Sequence, residues 1–137
     1  LLYEALGFPI PQFAHLPIIL GEDRSKLSKR HGAVSVRQYR ADGYLPEALF
    51  NFLSLLGWYP KDGKEILSKK ELIERFDITD IHNAPAVFNR EKLYWMNGVY
   101  IREVLDLDDL TQRVINYLKQ YGENLTPEEQ KVAKEIL

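Results

Sequence analysis

The residues best suited to chemistry are two lysines on either side of a serine: Lys26, Ser28 and Lys29. They lie in a basic stretch, residues 24–40, that contains six Lys or Arg and no Asp or Glu. Because the whole chain has a formal net charge of -2, the remaining residues carry a net charge near -8. Ammonium and hydroxyl groups bind phosphate oxygens, and Gly32 lets backbone amides turn toward an anion. The stretch therefore predicts a phosphate-binding loop, with an ordinary solvated basic loop as the alternative.

The order of the residues in this loop adds a family resemblance. Residues 26–30, KLSKR, resemble the KMSKS signature loop of class I aminoacyl-tRNA synthetases, in the form typical of glutamyl-tRNA synthetases. Similar segments precede and follow the loop in the order found in the bacterial enzymes: LYEALG (2–7), FAHLP (13–17), YLPEAL (44–49), LLGW (55–58) and WMNG (95–98). The resemblance to bacterial glutamyl-tRNA synthetases covers essentially the whole chain.

The resemblance implies a role for each polar residue of the loop. In this family the loop closes over ATP while glutamyl-adenylate forms, and the lysine after the serine, here Lys29, reaches the triphosphate. By position, Lys26 and Lys29 are the implied catalytic residues, and Lys26, Ser28, Lys29 and Arg30 are the implied ATP ligands. Less carries over to Arg30, because several other class I enzymes have serine there. Physically, Lys29 would offset the negative charge that develops as pyrophosphate leaves.

The same resemblance implies the substrates. It also shows that one family signature is absent from this sequence. The expected substrates are L-glutamate, tRNA(Glu) and ATP, with Mg²⁺ accompanying the nucleotide. Class I enzymes also need an earlier HIGH signature, and the three histidines, His15, His31 and His82, stand in unrelated contexts. We therefore expect a piece of a longer polypeptide whose other catalytic and anticodon-binding parts lie elsewhere. The piece alone should not catalyse aminoacylation.

Composition limits the class of protein and of site. The chain has 137 residues, 45% of them hydrophobic, which is enough for a core. It contains no cysteine, so disulfides and thiolate metal sites are excluded. No long apolar run is present, and we expect a cytoplasmic protein with no membrane span. The acidic pairs at 108–109 and 128–129 fit helix N-termini better than a metal site, and no protein-bound metal is predicted.

The pattern of the chain predicts a mainly α-helical fold. Tyr3 to Gly7 reads as the end of a helix, and the apolar run from Phe13 to Leu20, interrupted by Pro17, reads as an edge or irregular strand. Helix start and stop signals predict six further helices, which run from Ser35 to Ala41, Pro46 to Gly57, Ser68 to Phe76, Asn89 to Asn97-Gly98, Leu107 to Gly122, and onward from Thr126.

The resemblance divides the chain into three parts. Residues 1–33 would be the end of a Rossmann-type catalytic domain with its signature loop, 34–105 the helical stem-contact domain, and 106–137 the start of an α-helical anticodon-binding domain. Close to the loop, Arg37, Tyr39 and Arg40 are the residues expected to face tRNA, because cations meet phosphates and an aromatic ring packs on a sugar or base. Solvent-facing or domain-packing roles are the alternative for each.

Three other residues invite a functional interpretation but favour packing. His15 stands in an apolar run, where a single histidine is more often a core residue than a nucleotide ligand. Tyr94 and Trp95 adjoin Leu93 and Met96, and aromatic residues in such a setting usually pack in a core or interface.

Three functional alternatives remain beside the glutamate ligase. The basic loop could belong to a non-catalytic RNA-binding module that only contacts phosphates. A glutaminyl-tRNA synthetase fits less well, because the segments after the loop look glutamate-type and bacterial. A shortened relative that glutamylates a modified tRNA base would normally lack the helical region that begins near Asp106.

Overall fold

The computed structural model describes residues 1–28, 35–120 and 122–136, and in them the protein is mainly helical, as the sequence predicts. The helices are α1 (Leu2–Ala5), α2 (Val36–Ala41), α3 (Pro46–Ser54), α4 (Lys69–Arg75), α5 (Arg90–Val99), α6 (Leu107–Gln120) and α7 (Pro127–Ile136), with a 3-10 turn at Ile78–Asp80 and a π-helical turn at Tyr100–Val104. The strands are β1 (Ile19–Leu20) and β2 (Ala86–Val87). None of the described helices is long and apolar enough to cross a membrane.

Local capping explains where most helices begin. The Ser35 hydroxyl accepts a hydrogen bond from the amide of Gln38 at the start of α2, and Asn89 Oδ1 accepts one from the amide of Lys92 at the start of α5. Ser68 caps the start of α4 through a complete capping box, and Thr126 caps the start of α7 in the same way. These four predicted helix starts are confirmed. A cap depends on residues only three positions apart, so it can be recognised from the local sequence.

The sheet is small and joins distant parts of the chain. β1 and β2 run parallel, with Ile19 opposite Ala86 and Leu20 opposite Val87. Of the predicted strand from Phe13 to Leu20, only the last two residues are strand, and most of the segment before them is exposed. The sequence pattern therefore predicted a strand correctly but overestimated its length.

The core lies between α3, α5 and the sheet. Its largest cluster contains buried aromatic and aliphatic side chains of these elements and of α2, among them Tyr39, Leu49, Phe52, Phe88, Leu93 and Met96. A second cluster joins Trp58, Leu67 and Leu72 at the start of α4. Helix α3 is less enclosed than its apolar composition suggests, because Phe50 and Leu53 are exposed.

The predicted end of α5 at Asn97-Gly98 is wrong. The helix continues to Val99 and passes directly into the π-helical turn. Asn97 is used inside the fold, where its Oδ1 accepts a hydrogen bond of 2.8 Å from the amide of Leu45. Gly98 is closely covered, since a Cβ there would meet the Arg102 guanidinium at 2.8 Å. Tertiary packing thus continues a helix that the Asn-Gly pair would end in isolation.

Candidate functional site

A tight turn leads from β1 into the basic loop. The amide of Gly21 donates to the carbonyl of Ser25 (2.8 Å), and the amide of Arg24 donates to the carbonyl of Gly21 (2.9 Å). The Asp23 carboxylate accepts hydrogen bonds from the amide and hydroxyl of Ser25. Arg24 has a φ of 61°, an uncommon left-handed conformation for a residue other than glycine. The turn sends the chain back along β1.

The first half of the signature sequence is held on the core by its leucine. The amide of Leu27 donates to the carbonyl of Ile19 (3.1 Å), and Lys26 forms an antiparallel bridge with Leu20. The Leu27 side chain is half-buried against the main core cluster, whereas Lys26 and Ser28 are exposed on either side of it. This alternation is that of an extended strand, so the apolar residue anchors the segment while its polar neighbours face solvent.

The second half of the predicted site lies outside the described residues. Lys29, Arg30, His31 and Gly32 all fall there, so the roles of Lys29 and Arg30 stay predictions. The next described residue along the chain is Ser35, the cap of α2.

Helix α2 forms the flank that follows the loop. Arg37 and Arg40 are exposed and lie three residues apart, so they share one face of the helix. Tyr39, which the sequence grouped with them, belongs to the core instead. Its ring stacks on Phe88, with centroids 6.1 Å apart, and meets Tyr44 edge-on at 5.4 Å. We therefore correct the stacking role expected for Tyr39, because a buried ring offers no free face to a sugar or base.

The start of α5 connects both flanks of the loop. The amide of Arg90 donates to Glu22 Oε1 (2.9 Å), in the turn before the loop, and the amide of Phe88 donates to the carbonyl of Leu20 (2.8 Å). Phe88 also stacks on Tyr39, which lies beyond the loop. Sequence reasoning missed this arrangement. The Glu22 and Arg90 partners are 68 residues apart, and no local pattern pairs them.

Several described carboxyl groups outside the loop are held in their ionised form by basic partners. Lys64 and the Ser68 cap lower the pKa of Glu71 to about 2. Lys92 lowers the pKa of Glu65, and Arg113 lowers that of Glu47. Among the described carboxyl groups with a displaced pKa, each is displaced downward, as expected of groups that remain ionised.

The remaining candidates differ in how far the structure agrees with their predictions. His15 is exposed, so the expected core role is wrong. Tyr94 and Trp95 are 74% and 45% exposed, because α5 turns Leu93 and Met96 toward the core instead. His82 lies in a loop. Within the described parts of the chain, His, Asp and Glu side chains form no cluster of three or more that could hold a metal ion.

Comparison with known proteins finds relatives that match most of this chain. The family described as tRNA synthetases class I (E and Q), catalytic domain, matches residues 1–95. The glutamate–tRNA ligase of Aquifex aeolicus is 70% identical over 123 residues, which cover 89% of this chain and 26% of that protein. The glutamate–tRNA ligase of a Sulfurihydrogenibium species is 69% identical over 121 residues, or 88% of this chain and 25% of that protein. The chain thus spans about a quarter of the length of these relatives.

The fold is similar to that of solved relatives as well. The crystal structure of a glutamate tRNA ligase from Elizabethkingia meningosepticum, in complex with its amino acid, aligns with a TM-score of 0.79 at 35% identity. The alignment covers 98% of this chain and 30% of that one. It therefore extends beyond residue 95 into the last helices. The divisions after residues 33 and 105 stay predictions.

Proposed function

This chain belongs to the class I tRNA synthetases for glutamate and glutamine, and from that premise we propose that it is the loop-bearing part of a glutamate–tRNA ligase. The observation that carries the proposal is the anchored first half of the KLSKR segment, in which Lys26 and Ser28 are exposed around a half-buried Leu27. Relatives at 70% and 69% identity are glutamate–tRNA ligases, which favours glutamate over glutamine.

The proposed reaction has two steps that need positive charge in different places. In the first, a carboxylate oxygen of glutamate attacks the α-phosphorus of ATP, and pyrophosphate leaves. In the second, a terminal ribose hydroxyl of tRNA(Glu) attacks the glutamyl carbonyl, and AMP leaves. Lys29 would stabilise the charge that develops on the departing pyrophosphate, with Lys26 and Ser28 holding the nucleotide beside it. Lysine suits this task, because its compact ammonium follows a moving charge on a flexible stem.

Magnesium is expected to arrive with the nucleotide rather than at a protein site of this chain. When bound, Mg²⁺ would neutralise phosphate charge. In the described part of the KLSKR segment the exposed polar side chains are those of Lys26 and Ser28, which complement phosphate oxygens but do not form a carboxylate cage for the ion.

The exposed face of α2 is the proposed tRNA contact of this part of the protein. Arg37 and Arg40 project from the same face, directly after the loop. Two guanidinium groups in this position suit successive phosphates of an RNA backbone. Because tRNA charging uses the cellular tRNA pool, we also propose a cytoplasmic location.

Activity should require the rest of the polypeptide. The chain has no HIGH signature, and the segment before β1 exposes a series of apolar side chains: Leu2, Leu6, Phe8, Ile10, Phe13 and Leu16. An exposed apolar segment of this extent is unusual for an independent domain and suits packing against the other half of a catalytic domain.

The test is tRNA-dependent ATP–pyrophosphate exchange by the full-length polypeptide, with glutamate and glutamine compared. Exchange with glutamate only is the expected result. Exchange with glutamine only would make the protein a glutaminyl-tRNA synthetase. Absence of exchange with either amino acid, together with retained tRNA binding, would support the RNA-binding module instead. The 137-residue chain alone should show no exchange.

A further inference from the structure

The parallel pairing of β1 with β2 continues past the strands through a side chain. Two amides on the β2 side donate to two carbonyls on the β1 side, the second pair two residues beyond the first: Ala86 to Ile18 (3.1 Å) and Phe88 to Leu20 (2.8 Å). In a parallel pair such bonds are evenly spaced, so the next would join the amide of Arg90 to the carbonyl of Glu22. The Arg90 amide does bond to Glu22, but the acceptor is the side-chain oxygen Oε1, at 2.9 Å. A carboxylate thus supplies the third bond of the series.

The backbone around Glu22 forms a turn instead of continuing the strand. The amide of Gly21 donates to the carbonyl of Ser25 (2.8 Å), and Lys26 already forms an antiparallel bridge with Leu20. The chain has therefore reversed its direction within these few residues. The long side chain of Glu22 lets the pairing with the β2 side advance by one more bond while the backbone turns toward the basic loop.

The acceptor also lies at a helix end that favours it. Arg90 is the first residue of α5, a ten-residue helix. The first amides of a helix lack partners within the helix and carry partial positive charge, so an anionic acceptor is stabilised there. Asn89 Oδ1 accepts from the amide of Lys92 in the same turn, so the two acceptors use different donors. The bond from Glu22 is therefore of the stronger, charge-assisted kind.

We propose that Glu22 is a positioning residue for the ATP-binding segment 26–28. Its carboxylate fixes the turn to α5, and the turn in turn sets the position from which Lys26 and Ser28 face solvent. The amide of Leu27, which bonds to the carbonyl of Ile19 (3.1 Å), follows directly after the turn and depends on the same support. The catalytic consequence of this role rests on the proposed function, whereas its structural consequence does not.

Three substitutions of Glu22 in the full-length protein separate the acceptor, the charge and the reach of the side chain. Glu22→Ala should lower kcat for ATP–pyrophosphate exchange about tenfold, with the KM for ATP changed less than about threefold. Turnover is more affected because a misplaced charge loses more of an interaction made in the transition state than of a loose ground-state contact. Glu22→Gln keeps an acceptor of the same length and should lose less than about threefold in kcat. Glu22→Asp keeps the charge but is one methylene shorter, and should resemble Glu22→Ala.

Glu91→Ala is the matched control for charge at the helix end. Glu91 is an exposed glutamate in the first turn of the same helix, next to Arg90. Its removal takes the same charge from this end of α5 without removing the acceptor of the Arg90 amide, so exchange kinetics should be unchanged. Equal losses of kcat in Glu91→Ala and Glu22→Ala would overturn the proposal. Equal losses in Glu22→Gln and Glu22→Ala would overturn it too, because charge and not the hydrogen bond would then be the cause.

Hydrogen–deuterium exchange of the full-length protein gives a readout that does not depend on catalysis. Glu22→Ala should speed exchange at the amides of Arg90 and Leu27. The amide of Leu72, which bonds to the carbonyl of Ser68 in α4 (2.9 Å), should keep its protection. Unchanged protection at Leu27 would overturn the proposal, and so would equal acceleration at all three amides, which would indicate general destabilisation. A wild-type protein with no pyrophosphate exchange would refute only the proposed function, since the amide measurement would still decide the positioning role.

Discussion

Arg113 donates two hydrogen bonds to the carboxylate of Glu47, both with nitrogen–oxygen distances of 2.9 Å, across 66 residues of sequence. Arg113 also pairs with Asp109 one turn earlier on α6. The hydroxyl of Tyr117, one turn later, donates to the carbonyl of Ala41 (2.8 Å). Helix α6 is thus attached to the start of α3 and the end of α2. The predicted third part of the chain is therefore fixed to the second by directed polar contacts.

The bidentate geometry predicts a measurable contribution to stability from Arg113. Arg113→Lys keeps the charge but loses the second parallel hydrogen bond, and we expect a loss of about 1 kcal/mol in the free energy of unfolding. Chemical denaturation of the chain would measure it. Lys70→Met is the control, since Lys70 pairs with Glu74 at 3.9 Å on an exposed surface. Equal losses for the two variants would contradict this account.

The dependence of stability on pH should show the contribution of Glu71. Its pKa is lowered from an ordinary value of 4.5 to about 2 by Lys64 and by the cap at Ser68. Because the folded pKa lies below the unfolded one, the ionised carboxylate stabilises the fold above about pH 4.5. That contribution is lost as the pH falls toward about 2. Stability measured from pH 6 to pH 2 should therefore fall less steeply in Glu71→Gln than in the wild type. An identical slope would show that Glu71 titrates normally.

Two glycines with similar backbone angles differ in their surroundings and provide a matched pair. Gly57 and Gly63 have φ values of +88° and +76°, so alanine is strained at both. A Cβ at Gly57 would also lie 2.6 Å from Pro17 Cγ, whereas nothing lies within 4 Å at Gly63. Gly63→Ala should cost about 1 kcal/mol of unfolding free energy, and Gly57→Ala about 1–3 kcal/mol more.

Removing the Pro17 ring should relieve part of the additional cost at Gly57. The double variant Pro17→Ala, Gly57→Ala should therefore be less destabilised than the sum of its single variants. Simple additivity would mean that residue 17 does not pack against residue 57.

The arginines on α2 should contribute to tRNA affinity through charge. In the full-length protein, Arg37→Gln and Arg40→Gln should each weaken tRNA binding and reduce the slope of log affinity against log salt by about 0.7–0.9. Filter binding or fluorescence anisotropy at several salt concentrations would measure both effects. Lys70→Gln on α4 is the control and should leave the slope unchanged. A normal slope in both arginine variants would remove α2 from the tRNA interface.

The features that sequence predicted correctly are those with a local cause. Ser35, Ser68, Asn89 and Thr126 each begin a helix because their side chains bond to amides three residues ahead.

Three of the features that sequence missed involve contacts that are distant in sequence. Tyr39 was expected to face tRNA because an aromatic ring packs on a sugar or base, but its partner Phe88 is brought to it by the pairing of β1 with β2. Gly98 did not end α5, because packing around Tyr100 continues the helical path. The contact between Glu22 and Arg90 has no sequence signature at all. Each of these depends on which elements become neighbours, and a single sequence does not state that.

The central claim is that this loop acts on ATP during activation of glutamate, and Lys29→Ala in the full-length protein tests it most directly. We predict that tRNA-dependent ATP–pyrophosphate exchange with glutamate falls at least tenfold, a loss of about 1.4 kcal/mol or more in transition-state stabilisation. Lys70→Ala, which removes an exposed lysine of α4, should retain normal exchange. Full exchange activity in Lys29→Ala, with weaker tRNA binding as its only defect, would contradict the claim and identify the loop as an RNA contact.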